Sequence, residues 1–395
     1  MLAQDFSFRR IQGTEELLRL IKFSYANNQT LNESRRESMA IHEKNGVLEI
    51  YGVFLGDQLI SSCFLYPFVM RFRGAMISAG GIGTVASNPV HRGKGSVRYL
   101  LEHSVRAMTE KGMKVSVLYP FQYPFYEKYG WGRFSDAFLH RIDPSEILHF
   151  PNDSSVQLEE YQSPLPEITE FYNVIAQREY NRVLMTPEMW QRELSNPHDP
   201  SLVDERLVVF RRQGAISGML HMSMYNQNGQ EEVPITYLVA QDAQILRQIF
   251  RFLGGLSMQL REIRLYVPQD FPISNYLMGR TIQTVRKEQT MIRVHRLMDL
   301  NGLTVELPDR TVCIRLKDSI LSENSGEFQI TVHKGVLWVE KGRDPQLECS
   351  MALFSSALSG FTTFQEALDA GRATALVSNS IESFPKEMTY FPYDF

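Results

Sequence analysis

The organisation of this chain is clearest in residues 78–98, which read Ser78-Ala-Gly-Gly-Ile-Gly-Thr-Val-Ala-Ser-Asn-Pro-Val-His-Arg-Gly-Lys-Gly-Ser-Val-Arg98. The stretch is typical of an apolar strand, a break at Asn88-Pro89, a basic glycine turn and the start of a helix. Such a turn presents backbone N–H groups and a helix N-terminus to one point, which suits phosphate binding. Glycines in the turn permit close approach of an anion, and three cations flank them: Arg92, Lys94 and Arg98. The stretch predicts a phosphate site, although a similar turn can merely connect a strand to a helix.

Length and composition limit the possible classes of protein. At 395 residues the chain is long enough for two or three domains. A net charge of −4 gives no support for nucleic-acid binding as the main activity. The first residues lack the features of a signal peptide, and the longest apolar run, residues 59–70, is too short to cross a bilayer. Cys63, Cys313 and Cys349 form no redox or metal motif. We therefore expect a cytoplasmic protein that uses no metal and binds neither nucleic acid nor membrane.

The first of three segments runs from residue 1 to about residue 144. Its pattern predicts a helix over residues 15–26 and a hairpin of strands 48–55 and 59–69. A strand at 75–86, a helix at 97–111 and a strand at 115–119 follow, and a short aromatic helix leads to Gly130. Strand, crossover helix and strand indicate a mainly parallel or mixed sheet.

The second segment, residues 145–291, repeats this order. Residues 209–220 resemble residues 53–65 as two strands around a turn, and a strand at 233–240, a helix at 243–260 and a strand at 263–267 follow. The turn before the helix reads Gln241-Asp242-Ala243-Gln244, with neither glycine nor cation. An acidic turn repels phosphate, so we expect the second copy to keep the fold without the phosphate site.

The third segment, residues 292–395, has a different pattern. Strands are predicted at 303–307 and 311–316, and residues 328–340 read as a hairpin that turns at Lys334-Gly335. Helices follow at 351–360 and 363–370. Strands followed by helices indicate a small α+β domain.

The glycine turn and an aromatic segment after it carry a resemblance to a known family. Residues 85–97, Val85-Ala-Ser-Asn-Pro-Val-His-Arg-Gly-Lys-Gly-Ser-Val97, and residues 125–131, Phe125-Tyr-Glu-Lys-Tyr-Gly-Trp131, resemble the GCN5-related N-acetyltransferases (GNATs). That family binds the pyrophosphate of acetyl-CoA with an Arg/Gln-x-x-Gly-x-Gly/Ala turn. Arg92 and Gly95 match this turn, whereas Val97 departs from its final Gly or Ala. The resemblance implies that acetyl-CoA is bound by Val85, Ala86, Ser87, Arg92, Gly93, Lys94, Gly95, Ser96, Val97, Arg98, Phe121 and Gln122.

The order of the three segments is similar to that of the Eis (enhanced intracellular survival) family of bacterial acetyltransferases, over essentially the whole chain. The resemblance implies an α/β (α+β) fold: a catalytic GNAT unit at 1–144, a degenerate second GNAT-like unit at 145–291 and a sterol-carrier-protein-2-like α+β domain at 292–395. It implies acetylation of an amine, such as an aminoglycoside, a polyamine or a lysine side chain, and a homo-hexamer built as a dimer of trimers. It also implies that the acid is Tyr126 and the base is the carboxylate of Phe395.

Residue chemistry is consistent with both roles and leaves other interpretations open. A tyrosine hydroxyl with a reference pKa of about 10 can protonate a leaving thiolate without itself ionising at neutral pH. Most aromatic residues in the run from Phe121 to Trp131, however, are expected in the core. A bulge in the strand Gly83–Ser87, where glycine is abundant, can aim a backbone N–H at a thioester oxygen. The alternative is that Gly80-Gly81-x-Gly83 simply thins the strand for close packing.

The last six residues, Tyr390-Phe-Pro-Tyr-Asp-Phe395, are too aromatic for a disordered tail and are expected to dock. Burial among aromatic rings raises the pKa of a carboxyl group and improves it as a base. We expect the Phe395 carboxylate to accept the amine proton and Asp394 to attract a cationic substrate. The alternative is that this end only fills a groove.

Two other functions remain open from the sequence. A sterol-carrier-like third segment can hold an apolar ligand, which would make the chain a lipid-binding protein. A regulator that acetylates proteins would share the acetyl-transfer chemistry and differ only in its acceptor.

Overall fold

The computed structural model describes residues 6–25, 33–163, 165–194, 203–225, 232–279, 282–377, 381–393 and 395. The chain divides into two compact units. The first unit comprises Met1–Ser135, Gln289–Thr389 and Phe395, and the second comprises Asp136–Glu288 and Tyr390–Asp394. The first unit thus draws on both the first and the third predicted segments. The division into three domains at residues 144 and 291 stays a prediction.

The N-terminal part of the first unit is a mixed sheet with helices. Its elements are β1 (Phe6–Ile11), α1 (Glu15–Ser24), α2 (Glu33–Lys44), β2 (Glu49–Leu55), β3 (Gln58–Phe72), β4 (Ala75–Ser87), α3 (Ser96–Glu110), β5 (Val115–Leu118), α4 (Tyr123–Glu127) and the start of β6 (Gly132–Ile142). Strands β1 to β4 pair antiparallel in chain order, and β5 lies parallel to β4. The predicted hairpin, crossover helix and aromatic helix are all present; β1, α2 and β6 were not predicted.

Local sequence explains why these elements form where they do. Helix α1 begins after Thr14, whose hydroxyl accepts the N–H of Leu17, and it buries Leu17, Leu18, Leu20 and Ile21 on one side. The parallel pair β4–β5 needs a crossover connection, which α3 supplies. This crossover places the glycine turn at the end of β4, where it precedes a helix N-terminus.

The second unit repeats the same order of elements. It contains β7 (Val156–Tyr161), α5 (Pro166–Ala176), α6 (Pro187–Leu194), β8 (Val203–Arg212), β9 (Ala215–Tyr225), β10 (Glu232–Ala240), α7 (Ala243–Gly254) and β11 (Glu262–Val267). Strands β8, β9 and β10 pair antiparallel, and β11 lies parallel to β10 across α7. The prediction of a helix to residue 260 is wrong, because α7 ends at the pair Gly254-Gly255, a poor continuation for a helix.

The C-terminal part of the first unit is a second, smaller sheet with two helices. After β12 (Gln283–Val294) come β13 (Leu303–Thr304), β14 (Arg310–Lys317), β15 (Gly326–His333), β16 (Val336–Lys341), β17 (Leu347–Ser350), α8 (Met351–Ser359), α9 (Phe364–Asp369) and β18 (Thr374–Ala375). The six strands are ordered β13-β16-β15-β14-β17-β18. The hairpin β15–β16 turns at Lys334 and Gly335, both at positive φ, as predicted.

One predicted strand of this part is much shorter than expected. The predicted strand at 303–307 ends at Thr304, because the N–H of Glu306 donates to the carbonyl of Arg73 at 2.7 Å instead of to a neighbouring strand. Just before this part, the end of β12 pairs antiparallel with β5. This pairing was not predicted.

Candidate active site

The glycine turn has the open geometry expected for an anion site. Gly93 and Gly95 have φ angles of 77° and 91°, and a Cβ at either position would meet no atom within 4 Å. Helix α3 starts after Gly95, so no side chain caps its first N–H groups. Arg92 and Arg98 are exposed beside the turn. The turn therefore leaves hydrogen-bond donors and positive charge for a ligand.

A cavity of about 970 Å³ opens at this turn. Its walls come from α1, β4, α3 and the aromatic segment after β5. The lining residues are Ser24, Tyr25, Ile82, Gly83, Thr84, Val85, Ser87, Arg92, Gly93, Gly95, Ser96, Val97, Arg98, Tyr119, Pro120, Phe121, Phe125, Tyr126 and Tyr129. Most of the residues expected to bind acetyl-CoA are thus brought together. Ala86, Lys94 and Gln122 are not among the lining residues: Ala86 is buried, and Lys94 and Gln122 are exposed.

A β-bulge lies in the cavity wall, where the glycine-rich strand had suggested one. Ser62 pairs with Ala86, but Phe64 pairs with Gly83, so β4 has one more residue than β3 between these pairs. Within the bulge Thr84 has a φ of 45°, a strained value for a β-branched residue. The Tyr25 hydroxyl donates to the Val85 carbonyl at 2.9 Å. The bulge thus releases backbone groups from the sheet beside the cavity.

Tyr126 lies on α4 and is only 3% exposed, yet it lines the cavity. Its ring centroid is 5.4 Å from that of Phe121, 5.1 Å from that of Phe125 and 6.4 Å from that of Trp131. Burial, followed by the nearby Tyr25 and Cys63, raises the pKa of Tyr126 above its usual value. The hydroxyl therefore keeps its proton through neutral pH and can donate it into the cavity.

Phe395 lies in the first unit, beside the same wall. Its ring centroid is 5.4 Å from those of Tyr66 and Tyr119 and 6.0 Å from that of Phe68. A Cβ on Gly81 would lie 2.7 Å from the Phe395 ring, and one on Gly83 would lie 3.3 Å from its backbone oxygen. These glycines therefore make room for Phe395 and bring its backbone oxygen next to a residue that lines the cavity. Asp394 lies outside the described residues.

Some residues of the site carried no signal in the sequence. Tyr25 follows the first helix without any motif, and the sequence pattern places Tyr119 only at the end of a strand. Both line the cavity through contacts between residues far apart in the chain. Tyr66, against the Phe395 ring, is a third such residue.

The corresponding turn of the second unit is closed by a carboxylate. Asp242 caps α7 and accepts the N–H groups of Gln244 and Ile245, each at 2.9 Å. The Arg212 guanidinium donates to the other oxygen of Asp242 at 2.6 Å. The N-terminus of α7 therefore already holds an anion of its own.

Two further properties apply to the part of the chain that the structure describes. No group of three or more His, Cys, Asp or Glu side chains there is placed to hold a metal ion. No helix of the described residues is long and apolar enough to span a membrane.

Comparisons with protein families identify two parts of the chain. Residues 9–134 match the family model of the acetyltransferase (GNAT) domain, and residues 300–392 match that of the sterol carrier protein domain. No curated protein matches the sequence. The first match includes the glycine turn, the bulge and Tyr126.

Solved structures share the fold of the whole chain at low sequence identity. A GCN5-related N-acetyltransferase from Anabaena variabilis has a TM-score of 0.85 at 16% identity, with 98% of this chain and 100% of that chain covered. Eis1 from Mycobacterium abscessus has a TM-score of 0.77 at 16% identity, with the same coverage. A probable N-acyltransferase from Enterococcus faecalis has a TM-score of 0.79 at 16% identity, with 97% and 99% covered.

These matches confirm the predicted fold class: two GNAT-like mixed-sheet units in tandem and a C-terminal domain like sterol carrier protein 2. They also identify the chain as an acyltransferase with a GNAT domain, for which the acceptor is an amine.

Proposed function

We propose that this chain is an Eis-like N-acetyltransferase that transfers the acetyl group of acetyl-CoA to an amine. One observation carries the proposal. A single cavity is lined by the uncapped glycine turn, the bulge in β4 and Tyr126, and the backbone oxygen of Phe395 lies beside its wall. This arrangement provides an anion site, hydrogen-bond donors and a proton donor at one place.

The residues present fit acetyl-CoA. The open turn at Gly93 and Gly95, the uncapped start of α3 and the guanidinium groups of Arg92 and Arg98 would hold its pyrophosphate. The aromatic walls of the cavity suit its apolar parts. When bound, acetyl-CoA supplies an acetyl group activated as a thioester.

The chain's own residues would then donate and accept the protons that move during acetyl transfer. A backbone N–H released at the bulge would donate to the carbonyl oxygen, on which negative charge develops. As the nitrogen–carbon bond forms and the carbon–sulfur bond breaks, the Tyr126 hydroxyl would donate a proton to sulfur. A cationic acceptor first releases one proton to solvent and reacts as the neutral amine. Its nitrogen then loses a second proton to the Phe395 carboxylate, and solvent returns that proton to Tyr126, so that one amide and one thiol leave the enzyme.

The role of Phe395 is open to a direct test in a protein whose intact mass confirms Phe395 as its last residue. Deleting Phe395 removes both its ring and the carboxylate from this position, whereas adding one glycine after it keeps the ring and converts the carboxylate into an amide. Both variants should lose turnover and retain acetyl-CoA binding by calorimetry. Normal turnover in the glycine-extended protein would contradict the assignment.

The acceptor is proposed to be a cationic amine of the aminoglycoside, polyamine or lysine type, with Asp394 as an attracting charge. The acceptor can be identified by assaying a panel of amines with acetyl-CoA for thiol release. If no amine in the panel causes thiol release, the proposed function is overturned. The resemblance also suggests a bacterial, cytoplasmic homo-hexamer arranged as a dimer of trimers, which sedimentation would measure.

A further inference from the structure

We infer that Arg293 and Asp318 are positioning residues that hold the segment carrying Tyr126 in its reactive place. The inference rests on the proposed function, because it acts through Tyr126. Arg293 lies near the end of β12 and Asp318 directly after β14, both in the first unit and outside the residues that match the acetyltransferase domain. Arg293 lies on β12, which pairs with β5, and its side chain connects Asp318 of the C-terminal part to the aromatic segment of the catalytic domain.

Arg293 joins the two parts through charge-assisted hydrogen bonds. Its Nη1 donates to the carbonyl of Tyr129 at 2.7 Å, and its Nη2 donates to both carboxylate oxygens of Asp318 at 2.7 and 2.8 Å. Both side chains are 0% exposed. Tyr129 itself lines the cavity. The guanidinium thus fixes a backbone position three residues after Tyr126.

Asp318 also accepts hydrogen bonds from the loop that follows it. Its Oδ1 accepts the N–H groups of Ile320 and Leu321 at 2.9 and 3.2 Å, and its Oδ2 accepts from the Asn324 amide at 2.8 Å. The side chains of Ile320 and Leu321 lie in the same hydrophobic cluster as Tyr126 and Trp131. The carboxylate is therefore anchored to a loop that is itself packed into the catalytic core.

The segment after Tyr126 is shaped to receive the guanidinium. Gly130 has a φ of 89°, and a Cβ there would lie 1.7 Å from Nη1 of Arg293. The N–H of Trp131 donates to the carbonyl of Tyr126 at 3.3 Å, which links the fixed end of the turn to the proposed acid. Two further bonds reach this segment from the same part of the chain: Ser319 donates to the Lys128 carbonyl and Arg372 to the Glu127 carboxylate, each at 2.7 Å.

Two physical facts favour positioning over a simple gain in stability. A buried ion pair contributes little net stability, because removing its charges from water offsets their attraction. Its fixed geometry does, however, specify one arrangement of the groups that it joins, and arginine does this better than lysine because its donors form a rigid planar fork.

The test is a double-mutant cycle between Arg293→Lys and Tyr126→Phe, measured as kcat and as KM for acetyl-CoA. Arg293→Lys keeps the charge opposite Asp318, but its single nitrogen lacks the planar fork by which Nη1 reaches the Tyr129 carbonyl while Nη2 binds Asp318. We expect it to lower kcat about tenfold, since a small displacement of a catalytic group is costly. The KM for acetyl-CoA should stay unchanged, and the same substitution should change kcat little in the Tyr126→Phe background. Arg315→Lys, on β14 in a half-exposed pair with Glu327, is the matched control and should leave kcat unchanged.

The possible outcomes separate this inference from the proposed function. An equal loss of kcat in both backgrounds, or a raised KM for acetyl-CoA with unchanged kcat, would overturn positioning while leaving the function intact. Full kcat in Tyr126→Phe alone would instead overturn the assignment of the acid, and the inference with it. If Arg293→Lys does not fold, Asp318→Asn keeps one of the two acceptor oxygens and removes the charge, and the same cycle applies.

Discussion

Helix α3 of the first unit and helix α7 of the second follow equivalent strands, but their N-termini are built differently. Gly95 precedes α3 and offers no side chain to its N–H groups, whereas Asp242 precedes α7 and accepts two of them. Asp242 also binds Arg212, so both the donors and the nearby cation of the second turn have protein partners. An anion site therefore needs more than the fold: the chain must leave a helix end uncapped, and only the first of these two turns does so.

The two helix N-termini also differ in their effect: the capped one stabilises its helix, whereas the uncapped one is left to bind a ligand. A capping carboxylate stabilises a helix, and the Gly95 position of the first unit forgoes that contribution. The uncapped end keeps its donors for a ligand whose binding then stabilises the folded chain. Substitutions at Gly95 and Asp242 make each turn resemble the other.

Gly95→Asp should have the largest effect, because it would give the first turn the carboxylate of the second. An aspartate there would cap α3, repel phosphate and carry a side chain at a φ of 91°. We expect acetyl-CoA affinity to fall about 100-fold, as like-charge repulsion costs several kcal/mol. Isothermal calorimetry measures this. Gly95→Asn shares the size and the strain without the charge and should lose much less; equal losses in both variants would show that strain, not charge, is responsible.

Tyr126→Phe should lower kcat by about 100-fold, the effect typical of losing a general acid. The substitution keeps the ring contacts with Phe125 and Trp131, so the fold should not change. Tyr237→Phe is the matched control in the second unit: its hydroxyl is also buried, and donates to Glu193 at 3.0 Å. That variant should retain kcat. A comparable loss of kcat in both would argue for a general loss of stability rather than catalysis by Tyr126.

The pH dependence gives Tyr126 a second test. Because burial raises its pKa above the usual 10.0, its proton stays in place as the pH rises to that value. Loss of the Tyr126 proton should therefore not lower kcat at any pH below 10. A decline near pH 8 to 9 that disappears in Tyr126→Phe would contradict the raised pKa.

Arg92→Ala should raise the KM for acetyl-CoA about tenfold, a moderate loss because the guanidinium is exposed and screened by solvent. The increase in KM caused by Arg92→Ala should become smaller as the salt concentration is raised. Arg212→Ala removes the corresponding cation of the second unit, whose partner is Asp242, and should leave the KM unchanged. A salt-independent effect of Arg92→Ala would mean that its hydrogen bond to the Ser24 carbonyl, at 3.3 Å, matters more than its charge.

Local patterns in the sequence predict the elements that local forces determine. The glycine turn, the crossover helix and the hairpin at Lys334-Gly335 need particular residues at particular positions, and each is present within a few residues of its predicted bounds. Strand β12 and the short strand β17 were missed, because their pairing depends on partners far away in the chain. Helix α7 was predicted too long, since apolar residues continue past Gly254.

The sequence predicts the candidate site less completely than it predicts the fold. The turn and Tyr126 were found from motifs, but the sequence gives no sign that Ile320 and Leu321 pack into the core around Tyr126. Tyr25 and Arg293 were missed for the same reason: each acts through a contact with a residue more than 50 positions away. Periodicity and turn chemistry report neighbours in sequence, whereas these contacts depend on the tertiary fold.

Asp242→Ala should have the smallest effect and completes the comparison, because it makes the second turn resemble the first. Losing the cap should lower the free energy of unfolding by about 1 kcal/mol, with turnover unchanged. Burial raises the pKa of Asp242, but the Ile245 N–H and Arg212 outweigh it, so the net pKa is lowered from 3.8. A lowered carboxyl pKa stabilises the fold above the unfolded value and loses that effect as the pH falls through the folded value. The free energy of unfolding in urea should therefore differ fully between the unmodified chain and Asp242→Ala at pH 7. This difference should become smaller as the pH falls below about 3.8. If Asp242→Ala gained acetyl-CoA binding, a single carboxylate would be what separates the two turns; if it lowered turnover, the second unit would support catalysis and not merely keep the fold.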